Sequence, residues 1–175
     1  LNDRPGVGSK LREQVLANKV VEPKDTARIV DAITWRISRS AVMKNHFMVL
    51  DLLANNDWSR PIYFAVTTGP DSYIGLQDHF QLEGLTYRVV PLVTPSDPRT
   101  GSAGVVATER MFRTVTENFR WGNMETEGEI YLDENILRMT TNLRLQLSAL
   151  AEELIAEGRT EDARTKAMKK ELEWV

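Results

Sequence analysis

The chain has 175 residues, 42% of them hydrophobic and 27% charged, and carries a formal net charge of −3 at pH 7. Such a composition suits one folded domain, or one domain with a small appendage, and excludes general disorder and collagen-like or coiled-coil architecture. With no cysteine, disulfide scaffolds, thiolate-bound zinc and a cysteine nucleophile are excluded, and the mild negative charge argues against general affinity for nucleic acid.

The chain opens Leu1-Asn2-Asp3 without an initiator Met or a charged-then-apolar leader, and no stretch approaches the roughly 18–20 apolar residues of a membrane helix. These features read as a soluble piece of a longer polypeptide. Residues 1–24 are polar and punctuated by Pro5, Gly6, Gly8 and Pro23, which predicts a lead-in segment with a short helix near Leu11–Ala17. Residues 25–32 have a helical composition, and Ile33-Thr34-Trp35-Arg36-Ile37 alternates apolar and polar as a half-buried strand does.

Ser40 can cap a helix running to about Asn56, with Met43, Phe47, Leu50 and Ala54 on one face and Val42, Val49 and Leu53 widening it. So wide an apolar stripe predicts a well-buried helix. Pro61 to Val66 is a continuous apolar run with proline only at its start, read as a strand buried on both faces. Strand, helix and strand in this spacing form a βαβ unit. A short helix over Leu76–Leu82 with Gly84 as its C-cap, then a strand over Thr86–Val90, follow. The loop from Pro95 to Gly104 is the best internal boundary.

The second half reads as helical. Thr108 starts a helix with Met111, Phe112, Val115 and Phe119 on its apolar face, ended by Trp121-Gly122-Asn123. Ile136, Met139, Leu143, Leu147, Leu150 and Leu154 recur at steps of three and four, predicting a helix of about 25 residues and ~37 Å. Gly158 ends it, and Thr160-Glu161-Asp162 opens another with Ala163, Ala167 and Leu172 facing inward. The Leu150, Leu154, Gly158, Ala163, Ala167 spacing resembles a tetratricopeptide-type helical hairpin, at about 133–173. The expected fold class is α/β or α+β. It comprises a small three-stranded, mainly parallel sheet with helices over 25–104, then a helical region over 105–175.

Few residues carry chemistry. Gly6-Val7-Gly8-Ser9-Lys10 lacks the spacing and preceding strand of a phosphate loop. His46 reads as a helix-edge residue and His79 as a solvated one; two histidines without cysteine make a poor metal set, and no cofactor is expected. Neither a Ser-His-Asp arrangement nor Gly-x-Ser-x-Gly can be argued. Asp71, Asp78 and Glu83 follow the Pro61–Val66 strand, where ligands of open α/β sheets bind, but read mainly as turn and cap residues. Trp58-Ser59-Arg60-Pro61 offers an aromatic face and a planar cation for stacking or carboxylate recognition. In the plainer reading Trp58 covers a core edge and Arg60 pairs with Asp57 or Asp51. The ligand-binding candidates are Asn56, Trp58, Arg60, Tyr73, Gln81 and Glu83; no residue is a candidate for catalysis or metal binding.

Asn55-Asn56-Asp57-Trp58-Ser59-Arg60-Pro61-Ile62-Tyr63-Phe64-Ala65 resembles the signature of a large family of bacterial polytopic membrane proteins of unknown function, related to transmembrane protein O-mannosyltransferases. Met43-Lys44-Asn45, Phe80 to Arg88, Phe119 to Asn123 and Tyr131 to Asn135 agree in the same order, as does the helical stretch from Asn142 to Gly158. The resemblance spans roughly Ile33 to Ala167. It implies a membrane-embedded glycosyltransferase using activated sugar donors, with its catalytic carboxylates in an amino-terminal membrane half that this chain does not match. The chain resembles the soluble carboxy-terminal part, on the extracytoplasmic (periplasmic) side of a bacterial inner membrane. The resulting expectation is a non-catalytic accessory domain whose partners are the membrane-spanning part of the same polypeptide and a protein or glycan acceptor. The alternative is an independent glycan- or small-ligand-binding module. A hydrolase lacks a nucleophile or metal set.

Overall fold

In a computed structural model, residues 7–37, 41–95, 103–120 and 131–165 are described. Their helices are α1 (Val7–Ala17), α2 (Lys44–Ala54), α3 (Thr108–Arg113), α4 (Glu134–Ala156) and α5 (Thr160–Ala163). Their strands are β1 (Tyr63–Ala65), β2 (Phe80–Leu82), β3 (Thr86–Val89) and β4 (Val105–Val106), which form one sheet in the order β1-β3-β2-β4. The architecture is α+β. The chain divides into two compact units, one of residues 1–81 and 86–105, the other of residues 82–85 and 106–175.

The sheet departs from the expected one. It has four strands, and β1 pairs with β3 antiparallel, Phe64 opposite Tyr87. Only three residues join β2 to β3, too short a connection for parallel pairing. Residues 33–37 form no strand, yet Ile33, Trp35 and Ile37 are half-buried while Thr34 and Arg36 are exposed. The alternation is therefore real as burial but has no ladder behind it, and the βαβ unit does not form. Ile29, four residues earlier, makes an isolated antiparallel bridge to Leu92.

Residues 76–82, expected as a helix, are a 3₁₀ turn (Gln77–His79) followed by β2. Phe80, Gln81 and Leu82 are all buried, the pattern of an inner strand rather than of one helix face. Gly84 has the left-handed backbone expected of it (φ +82°), but in the β2–β3 turn. β1 lies at the sheet edge with Tyr63 and Ala65 exposed, so only Phe64 points into the core; the proline just before it suits an edge.

The first unit holds two apolar clusters. Val15, Val20, Val21, Ile29, Val90 and Leu92 form one, with Leu11 and Trp58 against it. Phe64, Tyr73, Phe80 and Tyr87 form the other, with ring centroids 5.2–6.0 Å apart and mostly edge-to-face. Such ring pairs add about 0.5–1.5 kcal/mol each beyond area burial.

The helix from Ser40 is shorter and less buried than expected. Ser40 lies outside the described residues; α2 starts at Lys44, where the buried His46 accepts a hydrogen bond from the Met43 amide at Nδ1 (3.0 Å) and its own amide donates to Met43 O. His46 is thus a fully covered capping residue, not an edge one. His79 is also buried rather than solvated; its Nδ1 lies 2.6 Å from the Leu92 carbonyl, which can only accept, so Nδ1 carries the proton.

In the second unit α3 continues into a π-helical turn, Thr114–Asn118, with Met111 and Val115 buried. Asp133 caps α4 by accepting from the Ile136 amide at 2.9 Å. The 23 residues of α4 span about 35 Å. Its stripe is buried only in the second half: Leu147, Leu150 and Leu154 are in the core, while Ile136 and Met139 are exposed. Gly158 (φ +78°) turns the chain into α5, where Ala163 is buried. Trp121-Gly122-Asn123, Ala167 and Leu172 fall outside the described residues.

Candidate functional site

Three of the six candidates come from the turn after α2. Asn55 closes the helix by donating from Nδ2 to the Asp51 carbonyl (2.9 Å) and to Asp51 Oδ1 (3.0 Å). Asn56 Oδ1 then accepts from the Trp58 amide (3.0 Å), and Asp57 Oδ1 accepts from the Ser59 amide (3.0 Å) and hydroxyl (2.6 Å). Such side-chain-to-backbone bonds two residues on are why Asn and Asp build turns. The Ser59 hydroxyl, and after it the Ser59 amide, hold the Asp57 carboxyl below its ordinary range.

Between them Trp58 is forced to φ +65°, a left-handed conformation that costs a bulky residue about 1–2 kcal/mol. Its ring packs against the Val15–Leu92 cluster, which repays the strain and matches the core-edge reading. Asp51 and Asp57 engage Asn55 and Ser59, and Arg60 stays exposed with no ion pair to a described residue. Asn56 Nδ2 is buried without a hydrogen-bond partner among the described residues.

The other three lie in the interior. Tyr73 is 5% exposed and packs its ring on Phe64, Phe80 and Tyr87; burial, then the nearby Tyr87, push its hydroxyl pKa up. Gln81 donates from Nε2 to Asp25 Oδ2 (3.4 Å), while Arg28 holds Asp25 Oδ1 (2.9 Å). Gln81 Oε1 has no partner among the described residues. Glu83, in the second unit, is buried and ion-paired with Arg110 at 3.2 Å. Next to it Gly84 meets the Phe119 ring: a Cβ there would lie 3.3 Å from Phe119 Cζ. Gly84 and Phe119, which belong to two of the blocks that carry the family resemblance, thus approach each other.

Tyr73, Gln81 and Glu83 are engaged inside the protein, whereas Asn56, Trp58 and Arg60 share one turn. Of these three, the Asn56 Nδ2 is buried and the Trp58 ring packs on the core cluster, so Arg60 is the exposed group of the turn. Among the described residues no group of three or more His, Asp or Glu could hold a metal ion.

Two polar nodes were not singled out in the sequence. Arg110 is one, 27 positions from its partner. Arg159 is the other: it donates to Asp162 Oδ2 (2.7 Å) and Glu109 Oε2 (2.9 Å) and lies over the Phe112 ring at 5.3 Å. Burial opposes its charge, but Asp162 and Glu109 outweigh it and raise its pKa. The three-residue spacing of Arg159 and Asp162 was the one signal available for it.

The fold is that of an α+β module in which Tyr73, Gln81 and Glu83 make internal contacts. Residues 11–110 match the family described as TMEM260-associated domain 2, and the chain belongs to that family. The match covers the Asn55–Ala65 and Phe80–Arg88 blocks and sets a membrane-protein context. No helix among the described residues is long and apolar enough to cross a membrane. No curated protein and no solved structure matches the chain.

Proposed function

We propose that this chain is a non-catalytic accessory domain of a membrane-embedded glycosyltransferase-like protein, related to protein O-mannosyltransferases, that serves interaction or acceptor positioning. The observation carrying the reading is the family match over residues 11–110, which covers three blocks of the sequence resemblance, Met43–Asn45, Asn55–Ala65 and Phe80–Arg88. The burial of Tyr73, Gln81 and Glu83 in internal contacts supports it, since a ligand site would need those groups free. In this reading the domain belongs to a bacterial inner-membrane protein and faces the periplasm. Sugar transfer is performed by the membrane-spanning part of the same polypeptide, and α4 with α5 forms one tetratricopeptide-like hairpin offered to a protein or glycan acceptor.

A second reading, a glycan- or small-ligand-binding module, is favoured by the Asn55–Pro61 turn, with the strained Trp58, an Asn56 Nδ2 without a partner among the described residues and the exposed Arg60. Thermal-shift screening and a glycan array on the 175-residue chain separate the two. The accessory reading predicts no saccharide-dependent rise in Tm. A rise abolished by Arg60→Ala would instead establish the binding module.

A further inference from the structure

The outward surface of α2 is unusual for a helix with this many apolar residues. Met43, Phe47, Met48 and Leu52 are 64%, 61%, 59% and 58% exposed, whereas Val49, Leu50 and Leu53 turn inward and are half-buried. At 3.6 residues per turn, Met43 and Phe47 form one outward stripe and Met48 and Leu52 another. Lys44 and Asp51, both exposed, lie on the line between the stripes. Exposed apolar side chains on this scale mark a contact surface.

The charges indicate what covers it. Lys44 sits at the helix N-terminus and Asp51 in its last turn, with no acid in the first turn and no base in the last. Both charges are placed against the helix dipole, which favours acids at the N-terminus and bases at the C-terminus. A lipid surface does not resolve this, because it would submerge the Asp51 carboxylate between two apolar stripes. A second α2 running antiparallel does. With the dyad between residues 47 and 48, Lys44 meets Asp51 of the second copy and Asp51 meets its Lys44. Phe47 then faces Phe47 of that copy on one side of the ion pairs, flanked by the two Met43 side chains, and Met48 faces its Met48 on the other, flanked by the two Leu52 side chains. Each helix end also receives the charge its dipole lacks. A two-fold interface requires this self-complementarity, in which residue i meets j and j meets i.

We infer that α2 is a homodimerisation helix, pairing antiparallel with α2 of a second copy of this chain through Met43, Phe47, Met48 and Leu52, with reciprocal Lys44–Asp51 ion pairs. Two helices of this length make a small interface, so the expected affinity is weak, with Kd on the order of 10–100 μM. The inference rests on α2 alone and not on the proposed accessory role.

Sedimentation of the 175-residue chain from ~10 μM to ~1 mM tests it, as a span around that expected Kd. A concentration-dependent dimer is expected. Lys44→Asp and Asp51→Lys should each weaken it about tenfold by opposing like charges twice per interface. The double variant K44D/D51K should restore it, a result that nonspecific apolar contact would not give. Phe47→Gln should abolish it while far-UV circular dichroism stays unchanged. A monomer at the highest concentration, or failure of the double variant to restore the dimer, would overturn the inference. So would flotation of the chain with phosphatidylglycerol vesicles that Phe47→Gln abolishes, which would assign the surface to lipid. None of these results bears on whether a saccharide binds.

Discussion

Gly104 offers a quantitative test of the sheet. It stands just before β4 at φ +69°, and a Cβ there would enter the space of the Phe80 carbonyl oxygen and lie 2.7 Å from Phe80 Cβ. Both atoms belong to the first residue of β2, beside β4 in the sheet, so neither can swing aside as a side-chain tip would. Gly104→Ala therefore carries the left-handed penalty of about 1–2 kcal/mol plus about 1–3 kcal/mol of forced backbone displacement, or ~2–5 kcal/mol together. Two other glycines isolate the terms. Gly158 has φ +78° with nothing within 4 Å of its Cβ position, so Gly158→Ala should cost only about 1–2 kcal/mol. Gly69 has φ −63° and the same open space, so Gly69→Ala should be neutral or stabilising by about 0.4–1 kcal/mol through a less flexible unfolded chain. Urea unfolding followed by far-UV circular dichroism reads the series, and Gly104→Ala should also lower Tm by roughly 10 °C. If Gly104→Ala costs no more than Gly158→Ala, the close approach of Gly104 to Phe80 is refuted.

Other outcomes follow from the polar contacts. Arg110→Ala leaves the buried Glu83 carboxylate without its guanidinium and should cost about 2–3 kcal/mol in urea unfolding, with Glu83→Gln partly rescuing it in the double variant. Asp57 has a depressed folded pKa, so the Ser59 contacts stabilise the turn fully above the unfolded carboxylate value near 4 and fade as pH falls through the folded one. An NMR titration should show the Ser59 amide shifting with a midpoint below the ordinary carboxylate value near 4; a midpoint at that value would contradict the hydrogen bonds. Tyr73 has a raised folded pKa, so its contribution is intact below the unfolded value near 10 and is lost as pH rises through the folded one. Alkaline unfolding should accordingly begin above about pH 10, and Tyr73→Phe should shift that limb upward.

The patterns legible in the sequence were those of faces; the partners of those faces were not. The Ile33–Ile37 alternation appears as alternating burial, but none of the described strands pairs with it. The stripe on α2 has the expected period, yet half of it points to solvent, because periodicity says nothing about what packs opposite. The first half of α4 repeats this, with Ile136 and Met139 exposed. Gly84 was required for its left-handed backbone in either reading, and only its neighbours told a hairpin from a helix end: Phe80, Gln81 and Leu82 are buried on every side. At the candidate site, the Asn-Asn-Asp-Trp-Ser run announced a turn through local hydrogen bonds two residues apart. The Glu83–Arg110 and Gln81–Asp25 contacts were invisible because they join positions 27 and 56 residues apart.

In the proposed accessory role, this domain aids a transfer reaction without performing one. Sugar transfer to a protein acceptor by the parent membrane polypeptide, compared with and without residues 25–175, tests it most directly, with the isolated 175-residue chain assayed alongside. The account predicts that the truncated protein still cleaves its activated donor but transfers much less sugar to acceptor, and that the isolated chain turns over neither. Donor turnover by the isolated chain, or undiminished acceptor glycosylation after truncation, would contradict it.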